Sequence, residues 1–207
     1  MTNKDSLIEK IVSIEWVMFQ NVNNIEGGTA SCQKDKKTFE IMRIVQFISW
    51  QEDTLESYLN DLEDAQKTER NLLTEKYARM MESNSPSEYA QIKHLLPPLD
   101  PEVPPLIEKI IEISRNWEEE VIKEYPFVTR RGRPVDSSDD NELVTSIITY
   151  LRGELATYSK KTLSLYYDNL LALKSRNING AKLILEETVK KYGYETLEKA
   201  NEVLAKL

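Results

Sequence analysis

The sequence contains one cysteine and one histidine in 207 residues. A single cysteine cannot form an internal disulfide, and with one histidine it leaves too few soft ligands for a structural zinc site. The chain also lacks the Glu-x-x-His pair that builds di-iron sites in helical bundles, and it lacks any specific cofactor motif. We therefore expect no metal and no cofactor, and the lone cysteine fits a reducing cytoplasm.

Long apolar runs and a secretory leader are also missing. No stretch approaches the roughly 18 apolar residues that a membrane helix needs, and the first residues lead directly into an amphipathic pattern. The sequence thus predicts cytoplasmic localisation and no membrane contact. A net charge of -8 and a pI near 5.0 would repel a phosphate backbone, which argues against nucleic acid as a partner. The oligomeric state stays open.

Glycine is scarce, and the alternating pattern of β-strands is almost absent. Apolar residues instead recur at spacings of three and four, which predicts an all-α fold: a multi-helix bundle of about nine to ten helices. We expect a single all-α domain over residues 1–207. The predicted helices cover residues 4–22, 37–50, 54–65, 71–81, 86–95, 105–125, 144–158, a segment around 162–166, 180–192 and 196–207.

One eight-residue stretch occurs twice. Residues 7–14 and 106–113 are identical at six of eight positions, and Val12 is replaced by the similar Ile111. The seam between duplicated halves is a natural place for a cavity. Five prolines between Pro97 and Pro105 favour an extended connector at this seam. We predict an internal duplication with pseudo-twofold symmetry, made of repeats 1–96 and 105–207 joined by the Pro-rich connector 97–104.

Glu15 is a carboxylate on an apolar helix face, because its helical neighbours include Ile11, Val12, Met18 and Phe19. Its burial would cost several kcal/mol unless a cation or hydrogen-bond donors meet it. Glu15 is therefore either half of a structural salt bridge or a site carboxylate. An arginine from across the seam is the expected partner.

The second predicted helix carries a polar stripe on an apolar background. Arg43, Gln46 and Trp50 share one face, which either faces water or lines a cavity. The matching helix of the second repeat has Gly153 in its middle, where glycine costs about 1 kcal/mol relative to alanine. This glycine indicates the close approach of another element.

That second helix also supplies the candidate residues Arg152, Glu154 and Tyr158. If the halves superpose, Arg152 lies opposite Arg43, and two guanidinium groups with two aromatic rings converge from both sides. Such a site suits a carboxylate or phosphate. The alternative is that both arginines pair with Glu15 and Glu154 and serve packing alone.

Two loops supply further candidates. The segment 27–33 is small and glycine-rich before a helix, so it could hold an anion and acidify Cys32 as a nucleophile. Nothing ties His94 to Cys32, which argues against a Cys-His dyad. The segment 129–134 is the one concentrated basic patch, and Arg133 is its candidate anion contact or simply a solvated residue.

Residues 74–81 mix an acid, bases and a phenol on one short helix. Tyr77 is expected to point inward with Leu73 and Met80. Glu75 and Arg79, at positions i and i+4, most simply form a surface pair.

These residues also carry a resemblance. The chain resembles, over nearly its whole length, a family of bacterial proteins known as domain of unknown function 4125. The family is typical of anaerobic and gut-dwelling bacteria, so the resemblance implies a reduced cysteine, and it implies no particular activity. The strings that carry it are Glu15-Trp16, Ala30-Ser31-Cys32-Gln33, Thr74-Glu75-Lys76-Tyr77-Ala78-Arg79-Met80 and Tyr150-Leu151-Arg152-Gly153-Glu154-Leu155.

Our leading hypothesis is a polar pocket between two related halves that binds a small anionic or zwitterionic metabolite. Catalysis would use Glu15 as a base and Cys32 or Tyr77 as nucleophile or acid. The alternative is an interaction module whose helical faces or 130–133 loop dock a protein or a nucleic acid, with a purely structural polar core. The expected pocket residues are Glu15, Cys32, Arg43, Gln46, Trp50, Tyr77, Arg133, Arg152, Glu154 and Tyr158.

Overall fold

The computed structural model describes residues 2–22, 30–130 and 132–207. Within these ranges the chain forms a bundle of α-helices with no β-strand, which confirms the predicted all-α fold. The described residues contain eleven α-helices, one more than expected, because a four-residue helix follows Tyr125 in a predicted loop. The helices are α1 (Asn3–Gln20), α2 (Lys36–Phe47), α3 (Glu52–Lys67), α4 (Leu72–Asn84), α5 (Pro86–Ile92), α6 (Val103–Glu124), α7 (Pro126–Thr129), α8 (Ile147–Leu155), α9 (Lys160–Ser175), α10 (Gly180–Lys191) and α11 (Leu197–Leu204).

Several helices begin after a short polar side chain that caps the first turn, at positions that agree with the predicted helix starts. The Asn71 side chain accepts hydrogen bonds from the first turn of α4, and Thr196 does the same for α11. Gly193 follows α10 with a φ of +90°, a conformation that glycine adopts without strain. These caps explain why the ends of α4, α10 and α11 can be predicted from the sequence.

Other helix ends differ from expectation. Val103 begins α6 two residues early, because prolines tolerate the first helical turn, whose N–H groups need no intrahelical acceptor. Ser85-Pro86-Ser87-Glu88 has the sequence of a capping box, but the Ser85 side chain makes no hydrogen bond to the first turn of α5. Helix α8 is shorter than predicted, since Val144 lies in a turn before it and Tyr158 lies after its end.

The contacts between helices follow one order in both parts of the chain. Helix α1 contacts α2, α3 and α4, while α6 contacts α8, α9 and α10. Helices α3 and α9 contact each other across the middle, and α4 packs on α8 as α10 packs on α2. A duplication would give this order, and the common origin of the two parts stays a prediction.

The core lies between these two sets of helices. Gly153 of α8 permits the close packing of α4, since a Cβ at this position would lie 2.7 Å from Met80 Cγ and 2.9 Å from the Lys76 carbonyl oxygen. The apolar side chains buried completely include Ile11, Leu55, Leu62, Ile110, Ile148, Leu155 and Leu163. In the described part of the chain, no helix combines the length and the apolar character needed to cross a membrane.

Candidate functional site

Four charged side chains from four helices meet in the interior. Glu15 comes from α1, Arg43 from α2, Lys76 from α4 and Glu154 from α8, and we call these four residues the charge cluster. None of the four side chains is more than 9% exposed. Two acids and two bases therefore share a dry site with no formal net charge.

Arg43 lies at the centre of the charge cluster. Its Nε donates to Glu15 Oε2 at 2.7 Å, and its Nη2 donates to Glu15 Oε1 at 2.5 Å. The same Nη2 donates to Glu154 Oε1 at 2.9 Å, while Lys76 Nζ donates to Glu154 Oε2 at 2.6 Å. Each carboxylate therefore receives charge-assisted hydrogen bonds, the strong kind in a low-dielectric interior.

Neutral groups complete the hydrogen bonding of the charge cluster. The Tyr58 hydroxyl donates to Glu15 Oε1 and the Tyr158 hydroxyl to Glu154 Oε1, both at 2.7 Å. Gln46 Oε1 accepts from Arg43 Nη1. The Lys76 ammonium also lies 3.6 Å from the centre of the Tyr150 ring, in a cation–π contact. All four carboxylate oxygens of Glu15 and Glu154 therefore have hydrogen-bond donors.

The lowered pKa of Glu154 agrees with an ionised carboxylate in the charge cluster. Burial opposes the charge of Glu154, but Arg43 and Lys76 outweigh it and hold the pKa of this carboxyl well below its usual range. Burial lowers the pKa of Lys76 below its ordinary value, and Glu154 offsets only part of that shift. Burial and the neighbouring carboxylates raise the pKa values of Tyr58 and Tyr158 well above the ordinary value, so both stay protonated donors.

The structure thus brings together five residues that the sequence singles out, and it corrects how they meet. Glu15 pairs with Arg43, which lies in the same predicted repeat and not across the seam. For Arg43 the structure agrees with the alternative in which the arginine pairs with Glu15 and Glu154. The second arginine of the expected pair, Arg152, lies elsewhere and binds Glu108. Neither of the two cavities described below includes a residue of the charge cluster, which favours packing over ligand binding as the role of the cluster. The five residues that meet are Glu15, Arg43, Gln46, Glu154 and Tyr158.

Tyr58 and Lys76 belong to this site but were not predicted for it. Tyr58 reads as an ordinary core residue of α3, and Lys76 reads as a solvated residue of α4. Their role follows from tertiary contacts to Glu15 and Glu154, residues that lie 43 and 78 positions away in the chain. Nothing in their local sequence marks that role.

Trp50 forms an aromatic wall beside the charge cluster. It is buried, and its ring centre lies 6.0 Å from that of Tyr158 and 4.7 Å from that of Tyr166. One edge of Trp50 also lines a cavity of about 330 Å³, together with Lys4 and Arg176. This cavity includes neither Arg43 nor Gln46, so the pocket that the sequence predicts for these residues and Trp50 stays a prediction.

Among the described residues, the remaining predicted site residues make no hydrogen bond to the charge cluster, although Lys76 Nζ lies 5.8 Å from the centre of the Tyr77 ring. Cys32 is exposed in a 3-10 turn, Ser31–Lys34, and residues 23–29 before that turn lie outside the described part of the chain. Tyr77 packs its ring against Tyr150, and burial raises its pKa above the ordinary value. In the described residues no hydrogen bond joins Glu15, Cys32 and Tyr77, so the predicted catalytic set is not assembled.

Arg133 lies on the surface. Its Nη1 donates to the Thr145 carbonyl oxygen at 3.0 Å, and its guanidinium lies 5.1 Å from the centre of the Tyr150 ring. These contacts hold the loop before α8 against the bundle. The neighbouring Arg131, part of the same predicted basic patch, lies outside the described residues.

A larger cavity of about 560 Å³ opens where α4 and α5 face α6 and α8. We call it the α4–α8 cavity. Its elements come from both predicted repeats, but of the ten expected pocket residues only Arg152 lines it. Its apolar lining includes Leu99, Pro104, Ile107 and Ala156. Its polar lining includes Arg79, Glu82, Ser83, Glu108, Thr149 and Arg152.

The sequence predicts Arg79 as half of a surface pair and not as a cavity residue. Its expected partner, Glu75, instead accepts two hydrogen bonds from Arg70, at 2.8 and 2.7 Å. Arg79 Nη2 donates to the Pro97 carbonyl oxygen at 2.7 Å, while its Nε is buried with no acceptor among the described residues. Burial lowers the pKa of Arg79. One N–H group of this guanidinium, Nε–H, therefore lacks a hydrogen-bond acceptor.

Arg152 is the predicted ligand residue that does reach this cavity. Its Nε and Nη2 donate to the two carboxylate oxygens of Glu108, both at 3.0 Å. Both side chains are partly exposed, so this pair lies at the mouth and contributes little stability. A ligand can compete for it. Among the described residues, His, Cys, Asp and Glu form no group of three or more that could hold a metal ion.

Comparison with known proteins gives one family. Residues 5–202 match the family described as "Protein of unknown function (DUF4125)", so the chain belongs to that family, as the resemblance predicts. No curated protein and no solved structure matches the chain.

Proposed function

We propose that this member of the DUF4125 family binds a small anionic or zwitterionic metabolite in the α4–α8 cavity. The carrying observation is the guanidinium of Arg79, which lines the cavity and keeps a buried Nε without an acceptor. Among the described residues Arg79 Nη1 makes no hydrogen bond either, and a carboxylate or phosphate oxygen bound in the cavity would accept from it. A donor without an acceptor favours a ligand-binding role for Arg79 over a purely structural one.

The size and the lining of the cavity support the same proposal. A volume of about 560 Å³ lies in the range of metabolite sites, which combine apolar walls with a few convergent polar groups. Leu99 and Ile107 form part of its apolar wall, and Arg152, which is paired with Glu108, contributes a second guanidinium to the lining. The charge cluster, by contrast, has its partners already, and that favours a structural role for it.

The proposal includes two further points. The first is the common origin of residues 1–96 and 105–207, supported by the repeated stretch in α1 and α6 and by the matched order of helix contacts. The second is a cytoplasmic location, supported by the single exposed cysteine, Cys32, which suits a reducing compartment.

The experiment is a thermal-shift screen of the full chain against small carboxylates, amino acids and phosphate esters. A true ligand raises the melting temperature in proportion to the logarithm of its concentration above the dissociation constant. Arg79→Gln should abolish that shift and leave the unliganded fold intact. Arg130→Gln is the matched control, because Arg130 is exposed and bonds to the Leu204 carbonyl oxygen away from the cavity.

The proposal fails if no compound of the screen raises the melting temperature. It also fails if a compound does so equally in the native protein and in Arg79→Gln. Circular dichroism of each variant confirms that the helices are retained.

A further inference from the structure

Two hydroxyl groups in the lining of the α4–α8 cavity share one carboxylate. Ser83 Oγ donates to Asp140 Oδ2 at 2.6 Å, and Thr149 Oγ1 donates to the same oxygen. Both hydroxyl residues line the cavity, Ser83 from α4 and Thr149 from α8. Asp140 also accepts from the backbone N–H of Ser146 at 2.5 Å. One carboxylate therefore fixes the orientation of both hydroxyl groups.

The charge of Asp140 sets the direction of these hydrogen bonds. Burial opposes that charge, but hydrogen bonds from Ser83, Thr149 and Ser146 outweigh it and lower the pKa of Asp140 below its ordinary value. An ionised carboxylate only accepts, so each hydroxyl gives it its single O–H and keeps only lone pairs for a ligand. Ser83, the more exposed of the two hydroxyl residues, is therefore a hydrogen-bond acceptor in this cavity.

A free positive group lies about one helical turn from this acceptor. Arg79 precedes Ser83 by four residues on α4, and side chains at this spacing are neighbours on one helix face. One turn of helix is about 5.4 Å along its axis. Among the described residues Arg79 Nη1 makes no hydrogen bond, so it is a donor available to an anion. The cavity thus offers a cationic donor and, about one turn away, a neutral acceptor.

Two further hydroxyl groups of the lining are free to donate or to accept. Tyr89 of α5 and Ser137 of the 3-10 turn Ser137–Asp139 line the cavity, and their hydroxyls make no hydrogen bond among the described residues. A hydroxyl group on a ligand can donate to Ser83 and also accept from Tyr89 or Ser137. An ammonium group only donates and a carboxylate only accepts. This part of the lining therefore matches hydroxyl groups better than charged ones.

From this arrangement we infer that the ligand is an anion whose carbon skeleton carries hydroxyl groups, an inference that rests on the proposed function. Its carboxylate or phosphate would accept from Arg79 Nη1, and a hydroxyl about one helical turn away would donate to Ser83 Oγ. Sugar acids and sugar phosphates are small molecules of this kind. The C–H groups of such a skeleton would pack on Leu99 and Ile107 in the apolar part of the lining.

Isothermal titration of the full chain with two matched pairs of anions tests the inference. D-gluconate and hexanoate share a six-carbon chain and a carboxylate, but only D-gluconate has hydroxyl groups. D-glucose 6-phosphate and cyclohexylmethyl phosphate share a six-membered ring and a phosphate, and only the first has hydroxyl groups. We expect the hydroxylated member of at least one pair to bind at least roughly tenfold more tightly than its partner, and that pair identifies the anionic group. D-glucose, which lacks an anionic group, should bind at least roughly tenfold more weakly than this hydroxylated anion.

Two variants isolate the hydroxyl contacts. Ser83→Ala removes the acceptor and should weaken the hydroxylated anion roughly tenfold, while the affinity for the hydroxyl-free member of the pair stays unchanged. Tyr89→Phe leaves Asp140 and its hydrogen bonds untouched and should weaken the hydroxylated anion several-fold. Ser87→Ala is the matched control, since Ser87 is exposed on α5 and does not line the cavity. It should change neither affinity.

The outcomes distinguish the inference from the proposed function. If the hydroxyl-free member of each pair binds as tightly as the hydroxylated one, the inference is overturned while an anion site at Arg79 stands. The inference is also overturned if both Ser83→Ala and Tyr89→Phe leave the affinity for the hydroxylated anion unchanged. If D-glucose binds as tightly as the hydroxylated anion, the proposed anion site fails. If no probe binds, the inference fails, and the proposed function fails with it when the screen of anions also finds no ligand.

Discussion

Arg43 binds Glu154 across 111 positions of the sequence, with Nη2 2.9 Å from Oε1. This contact joins α2 to α8 and therefore joins the two predicted repeats through a buried ion pair. Buried pairs add little net stability over an apolar replacement, but removal of one partner strands a charge in the interior. The contact fixes how the repeats meet more than it adds to their free energy of association.

The first prediction concerns Glu15. Its replacement in Glu15→Gln leaves the charge cluster with a surplus positive charge, so the free energy of unfolding should fall by about 3–5 kcal/mol. Urea denaturation followed by circular dichroism measures the change. Glu40→Gln is the control, because Glu40 pairs with Lys36 on the surface at 3.4 Å and should cost less than about 1 kcal/mol. Equal costs in the two variants would contradict a buried, saturated cluster.

The second prediction concerns the two buried phenols. Tyr58→Phe and Tyr158→Phe each remove one hydrogen bond to a carboxylate and keep the aromatic ring. Each should lower the free energy of unfolding by about 1.5–3 kcal/mol, the range for hydrogen bonds to charged groups. The control is Tyr192→Phe, whose side chain is exposed, and it should have an effect within about 0.5 kcal/mol. Urea denaturation again gives the values, and unchanged stability would show that the phenols are dispensable.

The third prediction concerns Gly153. A methyl group at this position would lie 2.9 Å from the Lys76 carbonyl oxygen, which belongs to the backbone of α4 and cannot move alone. Gly153→Ala should therefore lower the free energy of unfolding by about 1–3 kcal/mol, despite the better helix propensity of alanine. Adding Met80→Ala should not restore stability, because it relieves only the side-chain contact. Thermal unfolding measures both variants, and a stabilised Gly153→Ala would show that α4 and α8 are free to separate.

The fourth prediction concerns the pH dependence of stability. Burial raises the pKa of Glu118 from 4.5 to about 7. The folded chain thus holds this proton more tightly than the unfolded chain, so the associated stability is fully present below 4.5 and is lost as the pH rises through about 7. Glu118→Gln keeps a neutral side chain at every pH. It should match the native protein near pH 4 and exceed it by roughly 1–3 kcal/mol near pH 8.

A pH series of urea denaturation curves tests this prediction. Glu119→Gln serves as the control for the loss of a carboxylate, since Glu119 is an exposed neighbour of Glu118 on α6. Parallel profiles for the native protein and Glu118→Gln would show that Glu118 ionises as it does in water.

The sequence predicts more of the fold than of the candidate site. Helix periodicity and caps are local, so Asn71, Thr196 and Gly193 mark helix ends in the sequence as they do in the structure. The burial of Glu15 could also be predicted, because its helical neighbours are apolar. The free donor of Arg79 could not, because it depends on where Glu75 finds its partner in three dimensions.

Residue identity alone also misplaced Arg152. Superposing the repeats puts it opposite Arg43, but the carboxylate available to it is Glu108 on α6, at the surface. A guanidinium follows the nearest carboxylate that geometry allows, and that choice depends on helix rotation by a fraction of a turn. The periodicity of apolar residues predicts such rotations too coarsely to decide whether Arg152 points into the core or lines a cavity.

The charge cluster constrains how this family can vary. Because two positive and two negative groups balance in a dry interior, a change at one of the four positions leaves an odd charge that only a second change can cancel. Related chains should therefore keep Glu15, Arg43, Lys76 and Glu154 together or have replaced them as a set with apolar residues. Substitutions at these four positions are therefore expected to occur together, because few chains with a single substitution would keep a stable fold.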